Sequence, residues 1–414
     1  MCCMWAGMKG LRRVVVFGLL SNSLKMTVGA TSVMFLISRG ISLTELGLLK
    51  GLQACLILML DIPLGYAADR WGRRRVLAMS SFATACWLGL TAVAEFTSAP
   101  FLWFCVAEAF GAFGIAAFSG AYSAVLLNTY REASGREDFE NVLGWYGKWQ
   151  FMLMALAAFF GALIGGHASP SVWWAAAVGT CGLGLGARWL LPVDRRRTDS
   201  RRSTMRADIG KVARYLLSTA GLLWIALGYI VLMLGYQVLL QFWQPIIAQG
   251  DMPSDSGWTY GLAFIVFLLA QSAASEVARR GLSRIKIWSV GSLALAFLGW
   301  LISASPDVHY VMMIAALACA FFAFKLIAIG LLSFVQRSLS PDLWATSESS
   351  LSTVMRLTFI VLLPLVGVSG GHGTPVTIVA IVAFLLLSAL ACIAMASREG
   401  HRKYSHYDAS NQSD

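Results

Sequence analysis

Five charged side chains stand inside long apolar runs of this sequence: Lys25, Asp61, Glu108, Lys325 and Arg356. A charge near the centre of a bilayer costs at least about 2.5–3.5 kcal/mol, so each needs an opposite charge or a wet cavity. Three cations against two acids favour an anionic or zwitterionic small-molecule ligand by simple field effects. The two acids are the groups able to take up and release a proton there, with Glu108 the first candidate and Asp61 the second. Tyr236, Gln237, Gln241 and Gln244 share another apolar run. The three glutamines fall at i, i+4 and i+7, one helical face, where they either line a cavity or bond across to a neighbouring helix. Lys50 and Lys148 lie about one turn inside their runs and are expected to snorkel to the interface. No residues point to an enzyme: the five histidines fall outside the apolar runs, and neither H-E-x-x-H nor G-x-S-x-G occurs. The absence of G-x-x-x-x-G-K-[ST] argues against ATP as energy source. Cysteines and histidines lack metal-ligand spacing, so neither a metal nor a cofactor is expected.

The elements that must hold these residues follow from composition. Of 414 residues, 58% are hydrophobic and 13% charged, and mean hydropathy is +0.69. A soluble fold cannot bury that much apolar surface. Apolar runs near the roughly 20 residues of a spanning helix occur at 14–37, 46–67, 76–94, 101–127, 143–165, 172–191, 221–247, 260–277, 287–304, 310–332, 351–368 and 376–396. They are too long for barrel strands. This predicts an all-α membrane protein with twelve transmembrane helices.

Arginine and lysine gather in alternate loops. Arg70, Arg73, Arg74 and Arg75 follow the second run, Arg131 and Arg136 the fourth, Arg279, Arg280, Arg284 and Lys286 the eighth; the opposite loops hold only Arg39. This bias places both termini in the cytoplasm. It also accounts for the net charge of +11 without a nucleic-acid partner. The polar stretch 192–215 is read as a basic cytoplasmic linker between six-helix halves at 14–191 and 216–396, with cytoplasmic tails at 1–13 and 397–414. Two echoes suggest duplication: Gly72 with Gly281, and Gly161-x-x-x-Gly165-Gly166 with Gly367-x-x-Gly370-Gly371.

The second run leads into Asp61-Ile-Pro-Leu-Gly65-Tyr-Ala-Ala-Asp69-Arg70-Trp-Gly72-Arg73-Arg74-Arg75. This resembles the G-x-x-x-D-R-x-G-R-R signature of the major facilitator superfamily at Gly65, Asp69, Arg70, Gly72, Arg73 and Arg74. Physically, Gly65 would allow close helix approach and Gly72 a tight turn. The D-I-P-x-G lead-in, Glu108-x-x-Gly111 and Gln241-Phe-Trp-Gln-Pro245 are similar to a mostly bacterial, exporter-like subset. Departures are present: Ala162 stands where drug exporters carry a proline, and the usual arginine of the fourth helix is absent. The resemblance implies two pseudo-symmetric halves, alternating access, and a multi-pass monomer in the bacterial inner membrane, in contact with lipid. It implies proton-coupled export of a metabolite such as a siderophore, or of a drug, with uptake of a small organic anion as the alternative. It makes Asp69 and its arginines a cytoplasmic latch, Asp61 and Arg356 a gating pair, and Lys25 the partner of Glu108. A membrane-embedded enzyme and a passive channel are the competing classes.

Overall fold

The computed structural model is almost wholly helical and describes residues 9–97, 99–135, 139–166, 169–192, 214–215, 218–219, 221–249, 257–279, 284–304, 309–338, 344–372 and 375–411. The first predicted run forms two helices, α1 (Lys9–Met26) and α2 (Ser32–Ser38). Each of the others is one helix: α3 (Leu43–Trp71), α4 (Arg73–Val93), α5 (Pro100–Ser134), α6 (Phe139–Gly165), α7 (Ser171–Leu190), α8 (Leu222–Ile247), α9 (Gly257–Arg279), α10 (Arg284–Ala304), α11 (Tyr310–Ser338), α12 (Trp344–His372) and α13 (Pro375–Asn411). Among the described residues, nine helices are long and apolar enough to cross a membrane, and α10 has a shorter apolar stretch. The expected linker at 192–215 lies mostly outside the described residues.

The break in the first run has a local cause. Thr27 Oγ1 donates to the Leu24 carbonyl at 2.7 Å, competing with the helical ladder. Gly29 N–H then closes a tight turn on the Met26 carbonyl at 3.0 Å. The Thr27 carbonyl is pressed onto Gly161 of α6, where a Cβ would overlap it.

The chain forms two compact units. The first holds Met1–Thr198 with Pro253–Leu268 and Leu363–Gly367; the second holds Asp199–Met252, Leu269–Leu362 and Val368–Asp414. In the first unit α4 packs on α5 and α7, and α1 packs on the same two helices. In the second, α10 packs on α11 and α13, and α8 packs on those two as well. These four pairings thus recur in the two units.

Small residues bring the helices together, as expected where lipid supplies no hydrophobic force between them. Within the first unit, Gly47 of α3 lies against Leu363–Gly367: its Cβ would overlap the Leu363 carbonyl and come within 3.0 Å of the Gly367 Cα. A Cβ on Gly367 would in turn lie 2.5 Å from the Leu43 carbonyl oxygen. A second seam joins the end of α6 to the start of α9, where a Cβ on Gly257 would lie 2.8 Å from the Ala162 carbonyl oxygen and one on Gly261 3.1 Å from the Phe159 Cα. Two of the glycines that echo in sequence, Gly161 and Gly367, thus lie against another segment's backbone, that of Thr27 and of α3.

Outward faces are apolar, as a hydrocarbon solvent demands: Ile164, Val178 and Phe384 are 77%, 70% and 66% exposed. Tyr66, Trp71 and Trp189 are exposed at the arginine-rich helix ends, where such rings anchor at the headgroup level. The Arg188 guanidinium sits 3.9 Å from the Trp189 ring centre.

Two glycines provide a test of packing. A Cβ at Gly114 of α5 would lie 2.5 Å from Thr84 Oγ1 on α4, beside the 2.6 Å bond from Ser80 Oγ to the Gly114 carbonyl. At Gly65 a Cβ would meet nothing within 4 Å among the described residues. Gly114→Ala is expected to cost about 1–3 kcal/mol by overpacking, whereas Gly65→Ala is neutral or stabilising by up to about 1 kcal/mol. Thermal unfolding midpoints of the two variants in detergent check this.

Candidate functional site

The register of α3 is fixed at its first turn by a capping box. Ser42 Oγ accepts from the Glu45 N–H at 3.2 Å, and Glu45 Oε2 accepts from the Ser42 N–H at 2.8 Å. Gly47, Lys50 and Gln53 then follow at three-residue intervals and share a face. Pro100 opens α5 at its first helical position, where its missing N–H costs nothing. Lys50 lies seven residues after the first residue of α3 and Glu108 eight after the first of α5. The two helices pack together, so both groups reach the same depth.

They form an ion pair. Lys50 Nζ lies 2.7 Å from Glu108 Oε1, and Gln53 Nε2 donates to Oε2, so both carboxylate oxygens are engaged. Glu108 is 3% exposed and the Lys50 side chain 13%. This corrects two expectations: Lys50 does not snorkel, and the partner of Glu108 is Lys50 rather than Lys25. Lys148 is exposed, as expected.

Lys25 sits in the last turn of α1, where the exposed helix carbonyls favour a cation. Its ammonium lies 4.8 Å from the centre of the Phe118 ring. Phe118 stacks on Tyr122 at 4.7 Å, Tyr122 meets Tyr146 at 5.4 Å, and Asn22, one turn before Lys25, donates to the Tyr146 hydroxyl at 3.1 Å. Tyr122 fits because Gly18 leaves room for its hydroxyl, which donates to the Val14 carbonyl at 3.2 Å. Among the described residues, neither Lys25 nor Lys325 is in an ion pair.

In the second unit the Tyr236 hydroxyl donates to Gln271 Oε1 of α9 at 2.9 Å, and its ring meets Phe321 of α11 edge-on at 5.8 Å. Lys325 stands one turn beyond Phe321, half-buried. Gln237 and Gln241 are half-buried, while Gln244 is buried.

At the arginine-rich end, Gly72 has φ +97° and links α3 to α4 without a loop, which a side chain would strain. Among the described residues, none lies within 4 Å of where a Cβ on Gly65 would stand. Arg70 donates to the Tyr66 hydroxyl at 3.0 Å, and Arg73 and Arg74 have partners. The Asp69 side chain lies outside the described residues. Asp61 belongs to the first unit and Arg356 to the second; both are half-buried and neither lacks a partner.

Gln53, Phe118 and Gln271 escape a reading that starts from charge. Counting depth from the helix starts would have paired Lys50 with Glu108, since α3 and α5 begin on the same face. Removing one partner of such a buried pair is expected to cost about 3–5 kcal/mol, whereas replacing both by apolar groups restores most of it. The unfolding midpoint of Lys50→Met should therefore fall well below that of the Lys50→Met/Glu108→Leu double variant.

The fold and these positions can be compared with known proteins. No characterised protein sequence matches the chain. Among solved structures, the nucleoside transporter NupG superposes with a TM-score of 0.74, 15% identity and coverage of 93% of this chain and 98% of that one. A bacterial homologue of the human lysosomal transporter Spinster, inward-facing and occupied, gives 0.71 at 16% identity over 94% and 96%. The D-xylose–proton symporter gives 0.69 at 13% over 94% and 96%. The sequence model of the Major Facilitator Superfamily matches residues 14–361. The chain, a multi-pass integral membrane protein, belongs to the Major Facilitator Superfamily of transporters.

Proposed function

We propose that this transporter is a proton-coupled carrier that exports an anionic or zwitterionic metabolite by alternating access. It works as a monomer in the bacterial inner membrane, with both termini cytoplasmic. The observation that carries the reading is the buried Glu108, held by Lys50 and Gln53 in a spanning helix. An acid sequestered from water binds and releases a proton when its access and its counter-charge change together. Glu108 is the coupling residue, and Asp61 is the next candidate. Lys25 and Lys325, half-buried and outside any ion pair among the described residues, supply the positive field that selects an anion. The polar face at Tyr236, Gln237, Gln241 and Gln244 faces the cargo. The Asp69–Arg70–Gly72–Arg73–Arg74 stretch acts as the latch on the cytoplasmic side. A siderophore and a carboxylate-bearing drug both fit this chemistry.

Proteoliposomes enclosing a pH-sensitive dye test the reading. Organic acids presented to the protein are expected to trigger protein-dependent proton movement, and lipophilic cations are not. Glu108→Gln, which mimics the protonated acid, should abolish that movement while retaining exchange of labelled cargo. Proton movement of wild-type size in Glu108→Gln would transfer the role to Asp61. The direction of the accompanying cargo flux in oriented vesicles distinguishes export from uptake.

A further inference from the structure

Gly47, Lys50 and Gln53 lie on one face of α3, and each touches something that matters for transport. Gly47 packs backbone-to-backbone on Leu363–Gly367, while Lys50 and Gln53 hold the two oxygens of Glu108. We infer that Lys50 and Gln53 are positioning residues that transmit the protonation state of Glu108 to the Gly47–Gly367 seam. The inference rests on Glu108 being the coupling acid.

The physical chain is short. Six residues of α-helix span about 9 Å and move as a rigid rod. With Glu108 ionised, the salt bridge and the Gln53 bond pin this rod to α5 and set the height and rotation at which Gly47 meets the Leu363 carbonyl. The seam tolerates little displacement, because the contact is backbone on backbone: Thr44 Oγ1 adds only a 3.4 Å bond to the Gly367 carbonyl. A proton on Glu108 removes the charge that holds Lys50. The ammonium must then find another anion, and the end of α3 is freed to part from Leu363–Gly367.

Among the described residues, Lys50 is the charge that faces Glu108. Cys105 stands one turn back on α5 itself. The stretch 76–93 of α4, packed on α5, carries no charged residue, and its one titratable group is Cys86, which is exposed. From α1, Lys25 approaches α5 at Phe118; from α6, Tyr146 approaches it at Tyr122, ten and fourteen residues beyond Glu108. On α6, Lys148 is exposed.

The test reads the seam without any cargo. Val366, 1% exposed within the seam segment, is replaced by cysteine in the full chain. Its labelling by a membrane-impermeant maleimide is followed in vesicles, normalised at each pH to the denatured chain and corrected for the parent's cysteines. Labelling should be slow at pH 7.5 and rise about tenfold on acidification. In Glu108→Gln and in Lys50→Gln it should be fast at both pH values, whereas Lys50→Arg should keep the slow rate and the pH response. Gly47→Ala, which wedges the seam directly, should label fast throughout and marks full opening. The same variants are assayed for proton movement. If Glu108→Gln loses proton movement but labels as slowly as the parent, the link from Glu108 to the seam is wrong and the coupling assignment stands. If Glu108→Gln keeps proton movement, the coupling assignment itself fails.

Discussion

Lipid cannot hydrogen-bond, and the ion pair between Lys50 and Glu108 is where that constraint acts most strongly on this molecule. Two charges withdrawn from water must be matched in depth, angle and hydrogen bonding, or the helices that carry them are driven apart. Matching them fixes α3 against α5. The register so fixed puts Gly47 at Leu363–Gly367, and the capping box at Ser42 and Glu45 holds the same register from the other side. The packing of α3 on α5 is thus anchored by a buried polar contact.

The same constraint explains why Lys25 is tolerated without an acid. It closes α1, where the last turn leaves carbonyls unpaired, and it rests on the Phe118 ring. A helix end and an aromatic face each offset part of the cost of a cation, by about 0.3–2 kcal/mol apiece. Glu108, by contrast, has both carboxylate oxygens engaged, by Lys50 and Gln53.

Much of the architecture is legible from the residues. Apolar runs place the helices, because length and hydropathy are what the bilayer selects, and Gly72 marks the turn between α3 and α4 because only a glycine readily takes its backbone angle. The signature at Gly65–Arg74 by itself points to the family. What fails is pairing. Run length says nothing of the break at Thr27, where the hydroxyl takes the Leu24 carbonyl and Gly161 leaves room for the carbonyl of Thr27. Charge type says nothing of which cation meets Glu108; that depends on which helices touch and at what depth. Gly65, expected to meet a helix, has no neighbour within 4 Å of a Cβ among the described residues. Gln53 and Gln271 are neutral, so they carry no signal until their partners are placed.

The seams built from glycine have a consequence for how such a protein adapts. At Gly47 and Gly367 the two backbones lie so close that even a methyl group does not fit. Most contact surfaces can be graded by swapping one side chain for another, a little larger or more polar. Here a single residue type is admissible, and the contact itself offers natural selection nothing to adjust. A change in how tightly this seam closes is therefore open only to the side chains behind it, those that brace α3 among them.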